Sequence, residues 1–429
     1  MKQTTTLFVG LLISAGLSAQ TIQEIATGAG YQRQSFVKLS AGTETQVVNT
    51  AWDIAFTVYG LSDAGIFLNE SAGSSMGQPL AGLELYEAGT GSFAEQPEEA
   101  VFALFPLSNK EKDWTNGAFN EVRDTTNPFD YGWGQYNPTS HAVVGSTVYV
   151  IKLRNGQYRK LMIESLAGGI YSIRYANLDG SNEQVKTISK ADHAGKTLAY
   201  FSFTTGAAVA AEPAGGFDLL YCRYITQLWD PGNMEYIPYA VTGILHGHGA
   251  QAAEADNITP SSIQFSDYQD SLKADIDVIG YDWKNFSGTT WVMDTDKAFF
   301  LKTADSRVWK LFFVDFEGST TGKTIMEKTD LGIISAVNTP ADLGMEALVY
   351  PNPVRDQLYI SLDLKAGQVQ EGQLRIFDQN GRNILDRQVA LRNGFQVLEL
   401  SAGQWAAGLY SIQLVLPQGI VSLGNVVKQ

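Results

Sequence analysis

The segment Leu245-His246-Gly247-His248-Gly249 contains the residue types best suited to metal chemistry. If this segment is a strand, His246 and His248 stand at positions i and i+2, so their side chains point to one face about 7 Å apart. Such a pair can chelate one metal ion. The alternative is that both histidines face solvent in a glycine-rich turn.

Other catalytic patterns are weaker. Gly73-Ser74-Ser75-Met76-Gly77 matches the G-x-S-x-G nucleophile pattern, which requires a strand-to-helix elbow. Pro79 and the strand-like Leu83-Glu84-Leu85-Tyr86 follow it, which argues against a hydrolase. The acidic residues show no spacing typical of a general acid and base or of a calcium loop. We therefore predict that the protein is not an enzyme, and we assign no catalytic or metal-binding residue.

Composition indicates the elements that must position these residues. The chain has 429 residues, enough for two or three domains, and its 42 Gly and 19 Tyr favour turn-rich β structure. Cys222 is the single cysteine, so no intramolecular disulfide can form. A net charge of −15 repels phosphate backbones, and nucleic acid is not an expected partner.

The N-terminal residues 1–19 are typical of a signal peptide, because Lys2 precedes an apolar run, Leu7 to Leu17, and then Ser18 and Ala19. This run of about 11 residues is too short to span a bilayer, which takes roughly 20. We expect export, with no transmembrane segment in the mature chain.

Two stretches of the chain repeat each other. Tyr131-Gly132-Trp133 recurs as Tyr281-Asp282-Trp283, and residues 148–163 recur as 298–313, both at an offset of 150 (281 − 131 and 298 − 148). Each copy reads as one hairpin. The repeat predicts two domains, residues 21–186 and 187–335. Asp53 and Asp218 occupy equivalent strand positions, which favours a structural role such as accepting hydrogen bonds from backbone amides.

A third domain follows a linker at residues 336–345. Period-two alternation and turn residues across residues 346–429 predict about seven short strands in a small Ig-like sandwich. The motifs of this region are Tyr350-Pro351-Asn352-Pro353, Arg375-Ile376-Phe377-Asp378, Asn380-Gly381-Arg382, Gly408-Leu409-Tyr410 and Val426-Val427-Lys428.

Through these motifs the tail resembles the type A C-terminal sorting domain of the Bacteroidetes type IX secretion system. The resemblance implies that the secretion machinery is a partner, that the tail is removed, and that the protein ends secreted or on the outer-membrane cell surface. The sorting-signal residues would be Pro351, Asn352, Pro353, Gly381, Gly408 and Lys428. The alternative is an Ig-like sandwich that simply ends a secreted protein.

The two repeated units resemble the HmuY-like family of haem-binding surface proteins. The resemblance rests on Trp52-Asp53-Ile54-Ala55-Phe56, on Tyr149-Val150-Ile151-Lys152 and on Asn155-Gly156-Gln157-Tyr158-Arg159-Lys160-Leu161. It implies that haem or haemoproteins are partners. Haem iron takes His or Met ligands, and the second unit contains Met234, His246 and His248.

Taken together, the patterns predict an all-β chain of two tandem HmuY-like β domains followed by a small Ig-like β-sandwich. The predicted function is binding of haem or a related tetrapyrrole at the cell surface, with haem as cofactor. The alternative is a non-catalytic surface adhesin or a glycan- or protein-binding module. That alternative would use aromatic side chains, which could equally belong to the core: Trp229, Tyr236, Tyr239, Trp283 and Trp291.

Overall fold

The computed structural model describes residues 20–60, 63–72, 82–89, 92–110, 112–333, 337–338, 340, 345–364, 370–379, 381–416 and 419–429. The chain divides into two compact units, a body of Met1–Ala304 with Val308–Leu331 and a tail of Asp305–Arg307 with Gly332–Gln429. The predicted signal peptide, most of the predicted linker and the G-x-S-x-G segment lie outside the described residues.

The described residues form strands and 3-10 helices of three to five residues, which confirms the all-β prediction. The strands of the body are β1 (Gln20–Ala26), β2 (Arg33–Lys38), β3 (Thr43–Val48), β4 (Ile54–Thr57), β5 (Ile66–Leu68), β6 (Glu84–Gly89), β7 (Gly134–Asn137), β8 (Ala142–Gly145), β9 (Val148–Lys152), β10 (Tyr158–Ala167), β11 (Ile170–Asn177), β12 (Gln184–Ser189), β13 (Leu198–Ser202), β14 (Ala207–Val209), β15 (Leu219–Asp230), β16 (Glu235–His246), β17 (Gln251–Ala255), β18 (Lys284–Phe286), β19 (Trp291–Met293), β20 (Ala298–Lys302), β21 (Arg307–Phe316) and β22 (Lys323–Ile333). The short helices are Ala29–Tyr31, Asn49–Ala51, Glu70–Ala72, Glu99–Ala103, Ala118–Asn120, Lys190–His193, Phe265–Asp267, Gln269–Ser271 and Gly318–Thr320.

The predicted repeated hairpin is confirmed. Antiparallel β9 and β10 form it in one large sheet, and antiparallel β20 and β21 form it in another. The first of these sheets contains β12, β11, β10, β8 and β7, with β9 joining β10 to β6. The second has the order β1-β22-β21-β20-β17. In both hairpins a buried or partly buried lysine donates to a loop carbonyl, Lys160 to Glu95 and Lys310 to Pro260.

Two smaller sheets show that the copies exchange their first strands. Their orders are β14-β13-β4-β5 and β16-β15-β2-β3. Ile54 pairs with Phe201, and at the equivalent position Leu219 pairs with Val37. Strand β2 therefore completes the second copy and β13 the first, across the expected boundary at residues 186 and 187. Repetition could not decide this, because both copies offer the same hydrogen-bonding pattern to either partner.

We name the two resulting parts of the body by their strands. The first lobe is β4–β14, residues 54–209. The second lobe is β15–β22, residues 219–333, completed by β1–β3, residues 20–48.

The repeated aspartates fasten this exchange, as their equivalent positions led us to expect. The Asp53 carboxylate accepts the Phe203 N–H and pairs with Arg154. The Asp218 carboxylate accepts the Leu39 N–H at 2.8 Å and pairs with Lys38 at 2.7 Å. Hydrogen bonds to a charged partner contribute about 1.5–3 kcal/mol each. Each carboxylate thus ties a strand from one sequence copy onto the other.

Three clusters of buried side chains hold the body together. The core of the first lobe includes Phe56, Trp133, Tyr149, Leu161 and Tyr171. That of the second lobe includes Tyr221, Trp283, Phe299, Leu311 and Phe313. A third cluster joins the two small sheets and includes Phe36, Trp52, Tyr200, Leu220 and Cys222. Full burial of such side chains contributes roughly 1.5–3 kcal/mol each, so the two lobes form one continuous apolar interior.

The tail consists of two packed sheets. Its strands are β23 (Val337–Asn338), β24 (Met345–Tyr350), β25 (Gln357–Leu364), β26 (Gln370–Asp378), β27 (Asn383–Leu391), β28 (Gly394–Ser401), β29 (Gly408–Leu416) and β30 (Gly419–Lys428). The sheet orders are β23-β30-β29-β26-β27 and β24-β25-β28. Alternate residues such as Leu358, Ile360 and Leu362 fill the core between them, as the period-two pattern predicts.

Candidate functional site

An aromatic cavity in the second lobe is the most developed candidate site. Its volume is about 340 Å³, within the range of about 300–1,000 Å³ typical of ligand clefts. It lies between the long β15–β16 hairpin and the β18–β19 hairpin. Its lining is largely aromatic and contains Tyr31, Arg223, Leu228, Tyr239, Ala240, Val241, Thr242, Tyr281, Lys284, Asn285, Phe286, Trp291 and Phe316.

Lys284 is the central polar group of this cavity. The residue is 6% exposed, and its ammonium donates to the Thr242 carbonyl at 2.6 Å and to the Tyr281 carbonyl at 3.1 Å. Aromatic rings surround it, with its Nζ 3.8 Å from the Trp283 ring centroid and 4.9 Å from that of Phe316. Burial lowers the pKa of Lys284 to about 7, opposed in part by the charge of Asp282.

The other ionisable groups of the lining keep their ordinary charge states near neutral pH. Burial raises the pKa of Tyr31, and burial with nearby carboxylates raises that of Tyr281. Both therefore remain neutral hydroxyl groups. Burial lowers the pKa of Arg223, but a guanidinium starts so high that it stays charged. The cavity consequently presents two cationic groups on an aromatic surface.

Comparison of the lobes explains why the cavity is in the second. Gly134 is the counterpart of Lys284 (284 − 134 = 150). A Cβ at Gly134 would lie 2.5 Å from the Val144 carbonyl oxygen, so no side chain fits there. In the first lobe the β7–β8 hairpin joins β10 within the large sheet. In the second lobe β18 and β19 form a separate two-stranded sheet, and the space beside it is the cavity.

The histidine pair lies elsewhere and does not share a face. Strand β16 ends at His246, so the strand alternation assumed for residues 246 and 248 does not apply. His246 is 1% exposed and pairs with Leu219, the position that Leu68 occupies opposite Ile54 in the first lobe. Its backbone carbonyl accepts the Trp114 indole N–H at 2.9 Å. His246 is therefore packed as a core residue.

His248 and Met234 are both exposed, at different places. The His248 ring stacks on Tyr59 with centroids 3.5 Å apart. Burial lowers the pKa of both histidines, so both are neutral imidazoles at pH 7. Met234 is 76% exposed in the turn between β15 and β16. Twelve residues of strand separate it from His246, a distance on the order of 40 Å at about 3.3 Å per residue.

The structure thus does not bring His246, His248 and Met234 together, and none of them lines the aromatic cavity. Among the described residues, no group of three or more His, Cys, Asp or Glu side chains could hold a metal ion. Haem binding and its assignment to these residues stay predictions.

The five aromatic residues of the alternative hypothesis separate into three groups. Trp283 is core and stacks on Phe313 at 4.2 Å between centroids. Trp229 and Tyr236 are exposed near the end of the β15–β16 hairpin, edge to face at 5.2 Å. Tyr239 and Trp291 line the cavity. Sequence reasoning missed Lys284 and Arg223, although the Gly134–Lys284 difference between the copies was a readable signal.

The sorting motif of the tail is built around β30. The Asn352 side chain donates to the Asn425 carbonyl at 3.0 Å and accepts the Val427 N–H at 2.9 Å. The peptide bonds before Pro351 and Pro353 are cis. Gly381 has φ +74° in the turn after β26, a conformation that favours glycine.

Comparison with known proteins identifies this tail. Residues 348–423 match the family model for the secretion system C-terminal sorting domain; the match contains the predicted sorting residues except Lys428. No curated protein matches the chain. Among solved structures, the crystal structure of dimeric latent PorU from Porphyromonas gingivalis is 10% identical over 67% of this chain and 26% of that chain, with a TM-score of 0.18. This chain therefore matches about a quarter of the length of PorU.

No helix in the described part of the chain is long and apolar enough to cross a membrane. The matched family places the protein among those that carry a C-terminal sorting domain. The protein is therefore exported by the type IX secretion system and ends secreted or attached to the cell surface, and the secretion machinery is its partner through the tail.

Proposed function

We propose that this exported protein is a non-catalytic binding protein that recognises a glycan in the aromatic cavity of its second lobe. The observation that carries the proposal is a cavity of about 340 Å³ with six aromatic residues and two cationic groups in its wall. Aromatic rings offer flat apolar faces to the C–H faces of a sugar ring, and a few fixed polar groups set its orientation.

The lining favours this function over the haem hypothesis. Haem iron takes an axial His, Met, Cys or Tyr ligand, and the wall of this cavity contains no His, Met or Cys. Its tyrosines keep their protons near neutral pH where a shift is defined, as at Tyr31 and Tyr281, which disfavours them as iron ligands. The proposal also fits a protein delivered to the cell exterior, where glycans are abundant surface components.

Trp291 provides the most direct test. This partly buried residue packs edge to face on Phe316 at 5.0 Å and on Phe286 at 5.2 Å. We expect the mature protein to bind a subset of a glycan array, and Trp291→Ala to weaken that binding at least tenfold, because base or sugar stacking on an aromatic ring is worth about 1–3 kcal/mol.

Trp229→Ala is the matched control, since Trp229 is an exposed aromatic residue outside the cavity. Binding by this variant should equal that of the wild type. Thermal unfolding of both variants shows that they are folded. The proposal fails if the array is blank, or if both variants bind as the wild type does.

A further inference from the structure

We infer, building on the proposed glycan function, that the cavity selects acidic sugars, those carrying a carboxylate or a sulfate ester, through the ammonium of Lys284. The shared chemistry is one negative charge on the sugar ring. A neutral sugar would stack on the same aromatic wall but would leave this ammonium without an anion.

The charge on Lys284 is not neutralised by a neighbouring side chain. Its two hydrogen bonds go to backbone carbonyls, and among the described residues its ammonium forms no ion pair. The carboxylate of the adjacent Asp282 accepts instead from Lys297 at 3.0 Å. Burial of a charge costs free energy unless an opposite charge or a full set of hydrogen bonds accompanies it. An anion in the cavity would supply the missing partner.

The wall of the cavity is also cationic in a strongly acidic protein. Arg223, 4% exposed, lines the same space, and none of the lining residues is an Asp or Glu. The whole chain has a net charge of −15, so this absence of carboxylates is local. A partly enclosed aromatic cavity also strengthens charge recognition, because its effective dielectric constant is lower than that of water.

The experiment compares charge classes on one glycan array at pH 6, with neutral, uronate-containing and sulfated glycans. The mature wild type should bind acidic glycans, and Lys284→Met should weaken that binding at least tenfold while binding of any neutral hit changes little. Lys160→Met is the matched control, because Lys160 is also buried and also donates to a backbone carbonyl, in the first lobe. Carboxyl-reduced and desulfated versions of the hits then identify which acid is bound.

A second measurement on the wild type guards against a variant that does not fold. Between pH 6 and pH 8.5 the groups around Lys284 keep their charge: Tyr31 and Tyr281 stay neutral, Arg223 stays cationic and Asp282 stays anionic, and Tyr239 is the remaining ionisable residue of the wall. Loss of the Lys284 proton should weaken binding of acidic glycans about tenfold over this range. Binding of neutral glycans should stay constant.

The outcomes separate this inference from the function on which it rests. Neutral hits that Trp291→Ala removes and Lys284→Met preserves would overturn the acid selectivity and leave the glycan function standing. Acidic hits that survive Lys284→Met and show no pH dependence would overturn it as well. An array blank for all three classes would overturn the glycan function and the selectivity together.

Discussion

The two lobes of the body share one plan and differ at the surface where a ligand could bind. In both, the repeated hairpin lies in a large sheet and a repeated aspartate fastens the exchanged strand. Strands β4 and β5 have four and three residues, whereas β15 and β16 have twelve each. Lys284 stands where the first lobe requires Gly134. Duplication therefore supplied a stable frame, and one copy departed from it to form a cavity.

The largest expected effect concerns the parts that the lobes share. Asp53→Asn should lower the free energy of unfolding by about 3–4 kcal/mol, because it leaves Arg154 and the Phe203 N–H without their buried anionic partner. Asp218→Asn should cost less, about 2 kcal/mol, because Lys38 is more exposed than Arg154 and water replaces part of the lost interaction.

Urea unfolding of the two variants measures this difference. Equal and small losses, below about 1 kcal/mol in each, would show that the aspartates do not hold the exchanged strands.

A difference in pH dependence should arise from the connections that precede the two equivalent strands. Glu212 lies between β14 and β15, whereas Asn49 lies between β3 and β4. Burial raises the pKa of Glu212 to about 7, against the backbone N–H groups of Thr197 and Leu198, which lower it. The folded state therefore keeps a proton that the unfolded state loses, and stability from Glu212 falls as pH rises from about 4.5 to 7.

The expected loss over this interval is on the order of 3 kcal/mol. Neutral buried histidines act in the opposite direction below pH 6.5, so the readout is the difference between the wild type and Glu212→Gln. That difference should grow with pH up to about 7 and then level off. A constant difference would contradict the prediction.

A glycine substitution tests the close packing that excludes a cavity from the first lobe. Gly134→Ala should lower the free energy of unfolding by about 2 kcal/mol, because its Cβ would meet the Val144 carbonyl. Gly156→Ala is the control for close packing, since a Cβ there meets nothing within 4 Å, although its φ of +80° adds some strain. If Gly134→Ala unfolded at the wild-type temperature, the packing explanation for the single cavity would fail.

The smallest expected effect tests whether His246 is a core residue. His246→Leu should change the free energy of unfolding by less than about 1 kcal/mol, because Leu68 occupies the equivalent position in the first lobe. The reverse change, Leu68→His, should cost about 2 kcal/mol by burying a polar ring. Titration of hemin into wild type and His246→Leu completes the test, since a Soret shift lost in the variant would assign a ligand role to His246.

Much of the architecture could be predicted because it depends on local patterns. Alternation in Leu358-Tyr359-Ile360-Ser361-Leu362 requires only neighbouring residues, and it predicted a strand of the tail. The repeat of Lys160 at Lys310 likewise identified a shared hairpin. The interpretation of His246 and His248 failed for the opposite reason: their relation depends on where β16 ends, and the pairing of Leu219 with His246 decides that.

The sequence by itself determined the β architecture, the internal duplication and the sorting tail, since strand periodicity and short motifs are read from adjacent residues. The tertiary structure alone decided which copy each first strand joins and where a cavity opens. Both depend on contacts between residues far apart in the chain, such as Val37 with Leu219 and Lys284 with Thr242. A repeated sequence offers two equivalent partners for every strand, and only packing selects one of them.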